Sequence, residues 1–151
     1  MAATIAQLLP GARTLVSWHI EFADGRPRAY PFGEDAEGLI VYTPDGWMSA
    51  AITHAKRKPL SAETPRGAPE GEQMTAFQTY FHYAGPWHVE GDEVIHQARI
   101  ALNPNFTGTE QRRKVSFAAD GTLTLSADDT DEKGRARHHV LVWRTAGRQE
   151  Y

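Results

Sequence analysis

A histidine interrupts an otherwise apolar face in the segment PWHVEGDEVIHQARI, residues 86–100. Val94, His96, Ala98 and Ile100 alternate with a more polar set, which is the period-2 pattern of a half-buried β-strand. An imidazole ionises near neutral pH, so His96 is a candidate general acid or base. The alternative is a structural histidine that is hydrogen-bonded to a buried partner.

The turn before this strand predicts which side chains share the face of His96. With Glu90-Gly91 as the two central residues of a type I′ turn, Gly85 lies opposite His96. Tyr83 and Trp87 then point to the same side, and the glycine leaves room beside the imidazole. A tyrosine hydroxyl in this place could donate a hydrogen bond to a substrate, and the indole could stack on it.

An arginine falls on the inward face of a later hairpin. The three-residue loop 119–121 ends in glycine, which places Phe117 opposite Leu123 and puts Arg113 on the same face. A guanidinium that faces the interior needs a hydrogen-bonded partner or a bound anion. Arg113 is therefore predicted to hold a carboxylate or to stabilise an enolate or phenolate. The alternative is a side chain that reaches solvent at a barrel rim.

Two more segments add aromatic and apolar side chains to this interior. The Pro-Asp-Gly turn at 44–46 is typical of a type I turn with a G1 bulge, which puts Tyr42 and Met48 on one face. The alternating segment 14–22 offers Trp18 in the same way. Apolar walls with a few converging polar groups are typical of a small-molecule site.

The elements that must position these residues are mostly short strands. Eight alternating segments separated by turn residues predict an all-β fold, either an up-and-down antiparallel barrel or a sandwich. Their ranges are 14–22, 38–43, 47–53, 82–89, 93–102, 112–117, 122–126 and 136–145.

One connection departs from this pattern. Residues 54–72 are polar and rich in proline, and connections of this length are usually functional or mobile. They lead into a short helix predicted near residues 69–80, on which Met74 and Phe77 share a face, with Phe81 just beyond. We expect this face either to plug a barrel mouth or to act as a lid over a ligand.

Composition sets the class of protein. A chain of 151 residues, 40% of them hydrophobic, predicts one globular domain over residues 1–151. The net charge of −3 gives no electrostatic basis for binding nucleic acid or an anionic membrane. There is no cysteine, which excludes disulfides and thiolate catalysis. No signal sequence or membrane-spanning stretch is evident, so we expect a cytoplasmic protein.

Metal and cofactor sites are not expected. Seven histidines raise the alternative of a metal site, but His138 and His139 are adjacent on a strand and point to opposite faces. The acidic segment 128–134 is predicted to be a solvated turn before the last strand. No phosphate-binding or dinucleotide motif is present, so we predict no metal and no cofactor.

Three segments closely resemble the lipocalin-like domain family of bacteria and fungi. They are AYPFGEDAEGLIVYTPDGWMSA (29–50), YAGPWHVEGDEVIHQARIALNPNFTGTEQRR (83–113) and LTLS (123–126). The resemblance implies a calycin-type antiparallel barrel with a central cavity. It places His96 on the family's hairpin histidine and Arg113 on the arginine that ends its second motif. Gly-Ala-Arg at 11–13 replaces the family's opening G-x-W, so Trp18 is a candidate to close that end of the barrel instead.

Two functions follow for such a barrel. The first is a cofactor-independent lyase, isomerase or cyclase acting on a hydrophobic aromatic or polyketide-like substrate, with His96, Arg113 and Tyr83 as catalytic residues. The second is a carrier or sensor in which the same groups only orient a small hydrophobic ligand. A third hypothesis is an interaction protein whose barrel is filled by its own side chains. The expected ligand-binding residues are Trp18, Tyr42, Met48, Phe81, Trp87 and Phe117.

A homodimer is also considered. Ile95, Leu141 and Trp143 are large apolar side chains that the strand pattern leaves available for an outward face. Such a face could pair with a second copy of the chain or be ordinary surface.

Overall fold

Nine β-strands and two short α-helices make up the fold in a computed structural model that describes residues 2–150. Met1 and Tyr151, the ends of the predicted 1–151 domain, lie outside the described residues. No helix in this range has the length and apolar character needed to span a bilayer. The helices are α1 (Ile5–Leu8) and α2 (Glu70–Gln78), with 3-10 turns at Pro65–Gly67 and Pro104–Phe106. The strands are β1 (Gly11–Phe22), β2 (Glu37–Tyr42), β3 (Trp47–Thr53), β4 (Tyr80–Glu90), β5 (Glu93–Gln97), β6 (Ile100–Ala101), β7 (Glu110–Phe117), β8 (Leu123–Thr130) and β9 (Ala136–Thr145).

Eight of these strands close into an antiparallel up-and-down barrel, which confirms the predicted fold class. The order is β1-β2-β3-β4-β5-β7-β8-β9, and β9 returns to pair with β1. The two-residue strand β6 pairs with β4 beside β5. The helix predicted near residues 69–80 is α2. Closure gives each of the eight barrel strands a partner on both sides.

Two tight turns have the geometry that their sequences predict. Gly46 and Gly121 end the turns at 44–46 and 119–121 with φ values of 98° and 87°, as a G1 bulge requires. The strands on either side therefore pair in the predicted register. The confirmed pairs are Tyr42–Met48, Ile40–Ala50, Phe117–Leu123 and Val115–Leu125.

The turn before His96 lies one residue further along the chain than predicted. Gly91 is its first central residue, with a φ of 61°, as in a type II′ turn. His96 consequently pairs with Trp87 rather than with Gly85. The pairing is displaced by two residues, and because side chains alternate with a period of two, each keeps its predicted face.

Gly85 is required by a break in strand pairing. The predicted strand 93–102 is interrupted after Gln97, and the chain resumes its pairing with β4 only at β6. At this break the carbonyl oxygen of Gln97 lies where a Cβ on Gly85 would be placed. The glycine therefore makes room for backbone, and not for the imidazole of His96 as the sequence suggested.

The N-terminal segment covers one end of the barrel. Leu9 follows α1 and is fully buried in the same core cluster as Tyr42 and Trp143. The guanidinium of Arg13 is also buried, and it donates to the carbonyl oxygens of Leu8 (2.7 Å) and Leu9 (2.6 Å). These bonds satisfy carbonyls that the short helix leaves unpaired at its C-terminal end.

Two expectations about barrel closure are wrong. Trp18 does not close the α1 end, because it lines the interior cavity and packs edge-on against Phe32 with ring centroids 5.2 Å apart. Helix α2 does not plug a mouth with its apolar face, because Met74 and Phe77 are 61% and 52% exposed. Phe81, just beyond the helix, does turn into the barrel.

The face considered for a homodimer is not a surface. Ile95 and Trp143 are fully buried, and Leu141 lines the interior cavity. None of the three can therefore contact a second copy of the chain.

Gly85→Ala tests the strand break. The new methyl group meets the backbone carbonyl of Gln97, which cannot move without disturbing the β5–β6 junction. We expect the free energy of unfolding to fall by about 1–3 kcal/mol, measured by urea denaturation. Gly71→Ala is the control, since Gly71 lies in α2 with no atom near its added Cβ. The free energy of unfolding of that variant should rise by up to about 1 kcal/mol. Equal free energies of unfolding for the two variants would contradict a requirement for glycine at residue 85.

Candidate functional site

The barrel encloses a cavity of about 230 Å³. The exposed carboxylates of Asp128 and Asp129 mark its mouth, and Trp143 lies deep in its wall. Side chains from all eight barrel strands face it, so the closed sheet itself shapes the space. Its lining consists of Trp18, Ile40, Ala50, Ile52, Phe81, Tyr83, His96, Phe106, Gln111, Arg113, Leu125, Ala127, Asp128, Asp129, His139, Leu141 and Trp143.

A buried hydrogen-bonded triad lies in the wall of this cavity. The Tyr42 hydroxyl is 2.7 Å from Nε2 of His96, and the Tyr83 hydroxyl is 2.6 Å from Nδ1. All three side chains are at most 4% exposed. They come from β2, β4 and β5, so the contacts join strands that are not all sheet neighbours. Both ring nitrogens of His96 are therefore occupied by protein.

The triad has one more proton than it has internal hydrogen bonds. Two hydroxyl groups and one neutral imidazole carry three donor hydrogens, and only two are needed for the two contacts. Among the described residues, neither tyrosine hydroxyl has another hydrogen-bond partner. One tyrosine O–H consequently points to no protein acceptor.

The cavity indicates which tyrosine carries the free hydrogen. Tyr83 lines the cavity and Tyr42 does not, so only a Tyr83 hydrogen can meet a cavity occupant. This favours the tautomer in which Tyr42 donates to Nε2 and the Nδ1–H of His96 donates to Tyr83. The Nδ1–H of His96 then polarises the Tyr83 hydroxyl, whose own hydrogen remains available to a molecule in the cavity.

Burial keeps the triad neutral. Desolvation, with a smaller effect from the Arg113 charge, lowers the pKa of His96 from 6.5 to about 3. Desolvation also raises the pKa of Tyr83, and raises that of Tyr42 well above its ordinary value. At neutral pH the site therefore presents a hydroxyl donor backed by an uncharged imidazole.

Arg113 supplies a positive charge beside this donor. Its guanidinium donates to the Arg112 carbonyl oxygen (2.8 Å) and to the side-chain oxygen of Gln111 (3.3 Å). Within the part of the chain that the structure describes, it forms no ion pair with a carboxylate. A half-buried, unneutralised cation on a largely apolar wall is suited to a ligand that carries negative charge.

A second polar chain lies nearer the mouth. The Trp18 indole N–H donates to Nδ1 of His139 (3.2 Å), so the other ring nitrogen of neutral His139 carries its hydrogen. That nitrogen, Nε2, donates to Asp129 (3.1 Å). Asp129 also accepts two bonds from Arg137, at 2.8 and 2.7 Å. Burial lowers the pKa of His139, and the Asp129 carboxylate opposes that effect.

The structure brings five of the nine predicted site residues to the cavity and leaves four in the surrounding core. Trp87 packs edge-on against Tyr42 at 5.3 Å and donates to the Thr43 carbonyl oxygen, so it supports the triad from behind. Those at the cavity are Trp18, Phe81, Tyr83, His96 and Arg113; those outside its lining are Tyr42, Met48, Trp87 and Phe117.

Sequence reasoning missed the polar chain at the mouth. The acidic segment 128–134 predicts a solvated turn at Asp129, whereas β8 continues to Thr130. The alternation of β9 could have indicated His139, because it shares a face with Leu141 and Trp143. The register that brings Asp129 beside it could not be read from the sequence.

The other histidines considered for a metal site lie apart. His82 bonds to Ser49 at 2.9 Å, His88 lies near Glu90, and His138 pairs with Asp128. No group of three or more histidine and carboxylate side chains suited to a metal ion occurs in residues 2–150.

Comparison with known proteins identifies one family. The family model described as a lipocalin-like domain matches residues 10–146 of the chain. That range contains all eight barrel strands and every residue that lines the cavity. No curated protein matches the chain.

The buried neutral state of His96 predicts a pH-dependent stability. The unfolded chain binds a proton at His96 as the pH falls below about 6.5, whereas the folded protein does so only near 3. Stability contributed by neutral His96 is therefore present above pH 6.5 and lost progressively below it. Between pH 7 and pH 5 we expect wild type to lose about 2 kcal/mol more than His96→Gln. Urea denaturation at both pH values measures this, and equal losses would contradict a neutral, buried His96.

Proposed function

Because the chain belongs to the lipocalin-like domain family, we propose that its barrel binds a small, mainly apolar molecule through one oxygen atom of that molecule. The oxygen, as a carbonyl, carboxylate or phenolate, would accept from the Tyr83 hydroxyl and lie beside the Arg113 guanidinium. The observation that carries this proposal is the surplus proton of the Tyr42–His96–Tyr83 triad, which has no acceptor among the described residues.

Cavity size supports a compact ligand. A cavity of about 150 Å³ with apolar walls can hold benzene, and drug-sized ligands occupy pockets of about 300–1,000 Å³. The volume of about 230 Å³ lies between these and suits a single substituted aromatic ring. It favours the aromatic substrates considered from the sequence over extended polyketides.

The same groups would support catalysis of proton transfer next to a carbonyl. Loss of a proton from the α-carbon leaves an enolate, whose oxygen carries the new negative charge. A hydroxyl donor and a cation already in place would stabilise that charge, which is how an oxyanion site lowers a barrier. We propose a cofactor-independent isomerase, cyclase or lyase of this kind, in which His96 acts through Tyr83.

A carrier is the second candidate, and one observation favours it. Neither nitrogen of His96 has a lone pair directed into the cavity, so His96 cannot take a proton from a ligand directly. A carrier needs only the donor, the cation and the apolar walls.

Binding of 4-nitrophenol tests the shared part of both candidates. Its phenolate absorbs visible light, so one titration reports both occupancy and ionisation state. We expect saturable binding and a lower pKa for the bound phenol than for the free one. Arg113→Gln should weaken phenolate binding about 10- to 100-fold, because a hydrogen bond to a charged group is lost.

Arg112→Gln is the matched control for this titration. Arg112 is the neighbouring residue, but its guanidinium is half-exposed and pairs with Glu90 at 2.9 Å. Its loss should leave 4-nitrophenolate affinity unchanged. The absence of saturable binding, or equal weakening in the two variants, would refute the proposed binding site.

A further inference from the structure

We propose that His139, held by Asp129 at the cavity mouth, is the proton acceptor of the reaction proposed above. This inference rests on the catalytic form of the proposed function. It adds the component that the triad lacks, because both nitrogens of His96 are held by buried tyrosines, whereas Nδ1 of His139 contacts only the Trp18 indole, which itself lines the cavity.

Position supports the assignment of His139. It lies on β9, faces the same cavity as Tyr83 and Arg113, and its side chain is only 17% exposed. Ala127 of β8 pairs with His139, and the β7–β8 pairing ends at Lys114–Ser126, the residues next to Arg113 and Ala127. Arg113 and His139 thus line the same side of the cavity, and the Arg113 charge acts on the His139 ring, so a ligand held at Arg113 would lie beside His139.

Hydrogen bonding fixes which nitrogen accepts the proton. The Nε2–H of His139 donates a hydrogen bond to Asp129, and Arg137 donates two more to the same carboxylate. Nδ1 therefore carries the lone pair. A carboxylate behind an imidazole orients the ring and stabilises the imidazolium that forms.

The charges around His139 suit a base that works at neutral pH. Burial lowers its pKa, Asp129 opposes that effect, and the cations Arg137 and Arg113 lower the pKa further, with a net pKa below the ordinary value. The ring is therefore neutral and able to accept a proton at pH 7.

Proton transfer from an α-carbon then balances. Nδ1 of His139 takes the proton, the C–H electron pair becomes the C=C bond of the enolate, and the carbonyl π pair moves to oxygen. Tyr83 and Arg113 stabilise that oxygen. The imidazolium returns a proton to carbon, after exchange with solvent at the mouth or at a different carbon of the ligand.

Trp18 donates its indole N–H to the Nδ1 lone pair of His139. At 3.2 Å this hydrogen bond is at the long end of the usual range. Proton transfer to Nδ1 therefore requires that the indole edge moves off the lone pair, and a ligand could cause this because Trp18 also lines the cavity. Trp18 keeps His139 oriented until then, as a positioning residue.

Exchange of carbon-bound hydrogen in D₂O tests this inference, with phenylacetone as the probe. Proton NMR follows loss of the α-hydrogen signals, and a separate titration follows phenylacetone binding. We expect wild type to catalyse exchange and His139→Gln to reduce it about 10²–10⁴-fold with binding retained. His138→Gln is the matched control, because His138 pairs with Asp128 in the same way but does not line the cavity.

The outcomes separate the two proposals. Exchange that survives in His139→Gln overturns the assignment of His139 alone. A wild-type protein that binds phenylacetone without exchange overturns the catalytic form as a whole and leaves the carrier. A protein that binds neither phenylacetone nor 4-nitrophenol overturns the proposed function itself.

Asp129→Asn adds a readout that a structural role would not move. Without the carboxylate, the pKa of His139 falls further. The rise of the exchange rate with pH should therefore shift to lower pH, with a lower plateau. An unchanged pH profile contradicts the pairing of Asp129 with a catalytic His139.

Discussion

The mutual satisfaction of Tyr42, His96 and Tyr83 is the constraint on which the interior depends. A buried polar group without a partner costs about 1–3 kcal/mol, so each tyrosine requires His96, and His96 requires both tyrosines, to stay in place. Their strands are β2, β5 and β4, and the bonds connect them across the barrel as well as along the sheet. Removal of any one member would leave a buried donor or acceptor on another. The triad therefore holds the shape of the cavity wall and its chemistry together.

Electrostatic asymmetry organises the rest of the cavity. The inner wall carries neutral donors and the cation Arg113, while the mouth carries the carboxylates of Asp128 and Asp129. Arg113 acts on His96 and on His139, and in both cases it favours the neutral imidazole. Burial is the main cause of the lowered pKa of both histidines, and the Arg113 charge adds to it in each case.

Much of the fold could be predicted because β-structure repeats every two residues. The turns at 44–46 and 119–121 have glycines that specify both the turn and the register. The predicted register at His96 is wrong by two residues, and because side chains alternate with a period of two, His96 still lies on the predicted face. Periodicity alone leaves either a barrel or a sandwich, and the resemblance to the lipocalin-like family favours the barrel.

Irregularities that tertiary structure imposes could not be predicted. A bulge in β1 turns Val16 outward, where it is exposed, although strict alternation with the inward Trp18 would place it inside. The break after Gln97 is stabilised by bonds between Ala98 and residues 108–109, which lie beyond any local pattern. The mouth was missed for the same reason, because the extension of β8 through Asp129 depends on pairing with β9. Local periodicity predicted the inner wall and failed where strands bend or end.

The odd number of hydrogens in the triad makes the pocket selective for the direction of a ligand's hydrogen bond. A carbonyl or anionic oxygen receives the Tyr83 hydrogen and leaves every member satisfied. A ligand hydroxyl that donates to Tyr83 would reverse the order of donors along the whole chain. The unused hydrogen would then fall on Tyr42, which faces packed core and has no other described acceptor. An alcohol oxygen could also accept the Tyr83 hydrogen, but its own O–H would then need a second acceptor, which the triad does not supply. The triad would therefore favour a ligand oxygen that only accepts over one that must also donate.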